Sequence, residues 1–162
     1  MKPAAWTPDD WATPTAFVGR LAMEFCPRGT IFTLDPCATE RTAKAPTFYT
    51  KADNGLRSPW FGRVFLNPPF SNIAPWVKRA AVKTRDGKCD LVVAILPCSL
   101  DTGWFHEWVL PYAELHFIRG RIQFLDAKGK PATSPRHPLF IAAYRKGGLT
   151  QQYISYSWRA RT

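Results

Sequence analysis

Acids are scarce in this chain: 12 Asp and Glu stand against 22 Lys and Arg in 162 residues, a formal charge of +10. Methionine occurs twice and cysteine four times. Cys26, Cys37, Cys89 and Cys98 are spaced by 11, 52 and 9 positions, without a Cys-x-x-Cys pair or a His-x-Cys cluster. Neither a disulfide framework nor a structural zinc site is expected, and no metal is called for. The longest purely apolar run, Leu91 to Leu96, falls far short of the roughly 18 residues that a membrane span needs. Met1-Lys2-Pro3 leads into Trp6, Pro8 and Asp9 rather than an apolar signal core. A soluble protein of the cytoplasm with no membrane partner is therefore expected. Internal repeats and low-complexity tracts are also missing.

What is present suffices for a core. Hydrophobic residues make up 46% and charged ones 21%, so the chain is not apolar-poor in the manner of disordered segments. The length suits one domain, 1–162. Its charge is uneven. From Arg119 onward nine bases (Arg119, Arg121, Lys128, Lys130, Arg136, Arg145, Lys146, Arg159 and Arg161) face one acid, Asp126, whereas the first 118 residues carry only +2. A basic portion at about 119–162 points to a polyanionic partner, because each base that neutralises a phosphate releases condensed counterions. A solvated basic surface is the plainer reading of the same block.

Helix and strand signals alternate along the chain. Thr13 as N-cap and Pro14 at the first helical position open a helix with Phe17, Val18, Leu21, Ala22 and Phe25 on one face; Pro27-Arg-Gly stops it. Ile31 to Leu34 predicts a buried strand that delivers Asp35 at its carboxyl end. The region from Cys37 to Trp60 reads as loop. Val64 to Leu66 is a second short strand, broken by Asn67-Pro68-Pro69, and Pro75 opens a second helix with Ile73, Trp76, Val77, Ala80 and Ala81 inward. Leu91 to Leu96 is the clearest parallel-sheet strand. A short helix at Trp104 to Val109, strands at Leu115 to Ile118, Ile122 to Leu125 and Pro138 to Tyr144, and a hairpin at Asp126 to Pro131 follow. The pattern argues an α/β layered fold with a more antiparallel end.

The most informative residues are Asn67-Pro68-Pro69-Phe70. They follow directly on a strand, where open α/β sheets bind ligands. Two consecutive prolines lock φ, remove two backbone donors and hold carbonyls in set directions. Such a turn suits a planar aromatic amine. The Asn67 side-chain oxygen and the Pro68 carbonyl can accept its two hydrogens, favour a pyramidal nitrogen and stabilise the positive charge that develops there during attack. Phe70 would stack on the base, a contact worth roughly 1 to 3 kcal/mol, and the base must leave its duplex to reach the turn. An ordinary Pro-rich turn with Phe70 in the core is the competing reading.

Taken in order, Trp11-x-Thr13-Pro14, Leu34-Asp35-Pro36-Cys37-Ala38, Asp53-Asn-Gly-Leu56, Asn67-Pro-Pro-Phe70, Asp101-Thr-Gly-Trp-Phe105 and Gly120-Arg-Ile-Gln-Phe124 resemble the phage and prophage DNA N6-adenine methyltransferases of the Dam type. The resemblance covers about residues 11 to 145. It implies a Rossmann-like S-adenosylmethionine-dependent methyltransferase fold, a compact single domain with a mixed sheet, acting in a bacterial host cell. It implies catalysis at Asn67, Pro68, Pro69 and Phe70, and cofactor contacts at Trp11, Thr13, Pro14, Asp35, Pro36, Asp53 and Leu56. Which acid meets which cofactor group stays open, and Asp53 serves equally as an Asp-Asn-Gly turn former. One departure stands out: Pro-Cys-Ala-Thr-Glu40 follows Asp35, where methyltransferases usually carry a Gly-rich turn.

With no room for a separate recognition domain, DNA contacts are expected from Arg119 and Arg121 and from Arg57 and Arg63 near the turn. No oligomeric state follows. The reaction expected is direct methyl transfer to the amine of a flipped adenine in DNA. An RNA N-methyltransferase and a non-catalytic nucleic-acid-binding protein derived from a methyltransferase are the alternatives; the basic block disfavours a protein-glutamine substrate.

Overall fold

The computed structural model describes residues 11–126, 128–132 and 137–148, and the backbone of 153–157. In chain order these form helix α1 (Thr15–Phe25), strands β1 (Leu34–Asp35), β2 (Thr47–Phe48) and β3 (Gly62–Leu66), and helix α2 (Ala74–Arg85). Strand β4 (Cys89–Pro97), a π-helical turn (Phe105–Val109), and strands β5 (Glu114–Arg119), β6 (Leu139–Arg145) and β7 (Tyr153–Ser157) complete the set. One mixed seven-stranded sheet has the order β2-β1-β3-β4-β6-β5-β7. Only β6 runs against its neighbours. The other six strands therefore deliver their carboxyl ends to the same edge.

Side-chain alternation builds a three-layer α/β fold. Val64, Leu66, Val92, Ala94, Leu96, Phe140, Ala142 and Tyr144 face α2, which contributes Trp76, Val77, Ala80 and Ala81. The intervening residues Phe65, Leu91, Val93, Ile95, Ile141 and Ala143 face α1, against Phe17, Val18, Leu21, Ala22 and Phe25. Burial on both faces is why Leu91 to Leu96 of β4 form an unbroken apolar run, and it gives the Rossmann-like layering expected from the sequence. Among the described residues no helix is long and apolar enough to cross a membrane.

The structure departs from the sequence reading in six places. In the first, β1 spans only Leu34–Asp35, with Ile31 exposed ahead of it rather than buried in a strand. Pro14, not Thr13, is the N-cap of α1, and no side chain caps the helix. Ala12 is held extended by two backbone hydrogen bonds with Leu125 (2.9 Å each), so the helix starts later and the Thr13 side chain is buried instead. Within the expected loop from Cys37 to Trp60, β2 pairs with β1 as an edge strand. The short helix at 105–109 winds as a π-turn, closed by Leu110 N–H donating to the Phe105 carbonyl (2.8 Å). Ile122 to Leu125 is not a sheet strand: Ile122 and Phe124 anchor it in the α1-side core, while Leu125 bridges Ala12 and Pro131. Finally, β7 pairs with β5 where the sequence predicted no strand.

Candidate active site

The strand order reverses at β1. Its chain neighbour β2 lies on one side and β3, the next strand, on the other. A crevice must open where the connections diverge, at the carboxyl ends of β1 and β3. Those ends are Asp35-Pro36 and Asn67-Pro68. A cavity of about 410 Å³ lies there, lined by Asp35, Pro36, Asn67 and Pro69, with Trp11, Ala12 and Thr13 contributed by the segment before α1. Its size is that of a small-molecule site.

Asp35 is buried. Its two carboxylate oxygens accept the backbone N–H of Cys37 (3.3 Å) and of Lys44 (3.0 Å), so one side chain ties both ends of the turn that replaces a Gly-rich loop. Within that turn Thr39 and Thr42 hydrogen-bond each other through backbone and hydroxyls. Burial pushes the Asp35 carboxyl up to about 6, against the lowering effects of the two N–H donors and the Lys44 ammonium. The folded protein thus holds this proton at pH values where the unfolded chain has released it. Stability from this group is greatest below about pH 4 and is lost as pH rises through about 6. Between pH 4 and 7 wild-type is expected to lose about 2 to 3 kcal/mol relative to Asp35→Asn, which cannot ionise. Parallel denaturation curves for the two proteins test this; a constant gap would refute it.

The opposite wall comes from the turn after β2. Asp53 caps it by accepting the Thr50 N–H (2.8 Å) and hydroxyl (2.7 Å). Asn54 takes a left-handed conformation, φ 53°, which Asn tolerates. Gly55 is then pressed onto the β1 turn: a Cβ there would lie 1.9 Å from the Pro36 carbonyl oxygen and 3.2 Å from the Trp76 ring. The Trp60 indole N–H donates to the Gly55 carbonyl (2.8 Å). Trp60 in turn stacks on Trp76 (6.3 Å) beneath the Arg79 guanidinium. An aromatic and cationic stack therefore backs this wall.

Of the residues expected at the site, the structure brings Asn67, Pro69, Trp11, Thr13, Asp35 and Pro36 to one cavity. Pro68 is buried within the turn, and Phe70 is half-buried, packed against both core clusters. Pro14 caps α1 instead of lining the cavity; Asp53 and Leu56 give way on the wall to Asn54 and Gly55 between them. Cys37, Thr39, Tyr49, Thr50, Lys51 and Trp76 also line the cavity, and sequence reasoning missed most of them. Trp76 carried only a helix-face signal, and the close approach of Gly55 is a tertiary event.

The basic groups divide between the two sheet edges. Arg119 ends β5 on the cavity edge, and Arg121 follows it toward Leu125, which is bridged to Ala12. Exposed Arg57 lies in the Gly55 turn. Arg63 does not join them. It sits near the start of β3, at the opposite edge, where its Nε donates to the Ile31 carbonyl (2.8 Å). Arg145 and Lys146 are at that far edge too, paired with Glu114 (2.7 Å) and Asp90 (3.7 Å). The basic portion expected as one block is thus split by the antiparallel course of β6. Arg136, Arg159 and Arg161 lie outside the described residues.

Residues 4–157 match the family model described as DNA N-6-adenine-methyltransferase (Dam). The chain is 31% identical over 154 residues to the DNA N-6-adenine-methyltransferase of Haemophilus phage HP1 (strain HP1c1), covering 91% of this chain and 87% of that one. It is 29% identical over 165 residues to the enzyme of the same description from Escherichia phage T1, covering 89% of this chain and 66% of the relative. A crystal structure from Pyrococcus horikoshii, proposed to be an RNA methyltransferase, aligns over 62% of this chain and 51% of its own with a TM-score of 0.39 and 16% identity. With a switch-point cavity that joins an Asn-Pro-Pro-Phe turn to a strand-end carboxylate, the chain belongs to the phage DNA N-6-adenine-methyltransferase (Dam) family and is a site-specific DNA adenine N6-methyltransferase.

Proposed function

We propose that the cavity between β1 and β3 holds S-adenosylmethionine and that the Asn67 to Phe70 turn presents the adenine amine to it. The observation that carries this reading is the single cavity shared by Asn67 and Asp35 at the switch point. The wall residues fit the cofactor's chemistry. Thr13 Oγ1 is buried without a hydrogen-bond partner among the described residues, an uncompensated loss that a ligand carboxylate or hydroxyl would relieve. Asp35 retains lone pairs beyond the two it uses, suited to a cofactor ammonium or ribose. The Trp76 ring offers a flat apolar surface to a heterocycle beside the Gly55 backbone.

The cofactor supplies a methyl group on a sulfonium centre. Asn67 accepts one N6 hydrogen through its side-chain oxygen, and the Pro68 carbonyl accepts the other, so the nitrogen lone pair is freed from the ring. Both acceptors gain strength as positive charge builds on nitrogen, which lowers the barrier rather than merely binding the base. Pro68 and Pro69 hold the acceptors still, and Phe70 sets the plane of the base. After transfer the cationic amine loses its extra proton to water, so the site requires no dedicated base.

DNA approaches the cavity edge, where Arg119, Arg121 and Arg57 meet the phosphates. Replacing Arg119 and Arg121 together by alanine is expected to lower the slope of log affinity against log salt by about 2. An unchanged slope would remove them from the interface. The reading as a whole is tested by transfer of labelled methyl from S-adenosylmethionine to unmethylated DNA, with RNA and protein as parallel acceptors and nucleoside analysis of the product. N6-methyladenine from DNA alone is the expected result; label in RNA or protein, or in none, would overturn it.

A further inference from the structure

The turn after β4 has no part in the cavity, yet it stands over the same edge. β3 ends at Leu66, level with Ala94, whereas β4 runs on to Pro97, about 10 Å further at 3.3 Å per residue. The projecting end is braced. Pro97 pairs with Leu139 of β6, and the Cys98 N–H donates to the Pro138 carbonyl (2.9 Å). The turn beyond is closed by the Ser99 N–H on the Pro97 carbonyl (2.7 Å) and the Thr102 hydroxyl on the Ser99 carbonyl (2.7 Å). At its tip Leu100 is 42% exposed. The other exposed large apolar side chains among the described residues lie elsewhere: Met23 on α1, Ile31 and Phe61 before β1 and β3 at the opposite edge, and Phe117 within β5.

Extruding a base from a duplex leaves a gap in the stack. Filling it with an apolar side chain offsets part of the unstacking cost. The adjacent Asp101 is exposed and acidic, so the tip is ill-suited to resting on phosphates. We propose that Leu100 is the wedge that occupies the stack vacated by the target adenine, carried on a braced turn at the same sheet edge as the Asn67 turn. This rests on the reading of the site given above. It makes Leu100 a positioning residue: it acts on the duplex, not on the reacting atoms.

The test compares two short duplexes built around an adenine that the wild-type enzyme methylates. In one the adenine is paired with thymine; in the other it faces an abasic site, which is already poorly stacked. Leu100→Ala is expected to lower kcat/KM on the paired duplex roughly 10- to 100-fold, the effect of losing a few kcal/mol of unstacking compensation. On the abasic duplex it should match wild-type. Leu100→Phe, which also fills a stack, should retain activity on both. Equal losses on the two duplexes, or no loss on either, would overturn the wedge. Failure of the wild-type protein to methylate any DNA adenine would instead refute the reading of the site, so the two failures are distinguishable.

Discussion

Asn67→Ala is expected to reduce kcat at least 100- to 1,000-fold, the usual effect of deleting one preorganised electrostatic group from a reacting centre. DNA affinity and its salt dependence should not change. Asn67 is half-buried on the cavity wall at the carboxyl end of β3 and carries no charge, so its loss removes an acceptor and no phosphate contact. Asn67→Asp keeps an oxygen at the same reach and should retain more activity than alanine. Single-turnover methyl transfer and DNA titration on the same preparations separate the two effects. Full activity in the alanine variant would end the catalytic assignment.

Gly55→Ala is the second large effect expected, and it arises from backbone, not chemistry. The new methyl would sit 1.9 Å from the Pro36 carbonyl oxygen. The obstacle is main chain, so it cannot rotate aside. The turn carrying Asn54 and Gly55 must lift away from the β1 turn, breaking the bond from Trp60 and widening the cavity. Overpacking of this kind costs about 1 to 3 kcal/mol or more, and S-adenosylmethionine affinity should fall about 10- to 100-fold with the wall displaced. Calorimetric titration and a melting curve measure both. Gly19→Ala is the internal control, since nothing lies within 4 Å of a Cβ on that α1 glycine and alanine suits a helix better by about 0.5 to 1 kcal/mol. Unchanged cofactor affinity in Gly55→Ala would show that the close contact between the two turns does not shape the cofactor site.

Much of this was legible in the residues themselves. The apolar faces of α1 and α2 are the buried faces observed, and Leu91 to Leu96 is the central strand, because a strand covered on both sides has no place for polar groups. Asp35 and Asn67 were readable as strand-end residues since each interrupts an apolar run with a proline beside it. Harder to read were the short pieces. β2 has two residues, and Leu125 joins only isolated bridges. Such segments form through partners distant in the chain, with no periodicity of their own.

The sequence by itself determined the layers, the succession α1, β1, β3, α2, β4, and the Asn-Pro-Pro-Phe turn at a strand end, because burial periodicity and proline stereochemistry are local properties. Only the tertiary structure decided that Asp35 and Asn67, 32 residues apart, open onto one cavity, since that depends on β3 pairing beside β1. It decided too that Arg63 and Arg145 face away from that cavity while Arg119 shares its edge. Strand direction assigns each residue to an end of the sheet, and direction is set by pairing between segments rather than by any residue alone.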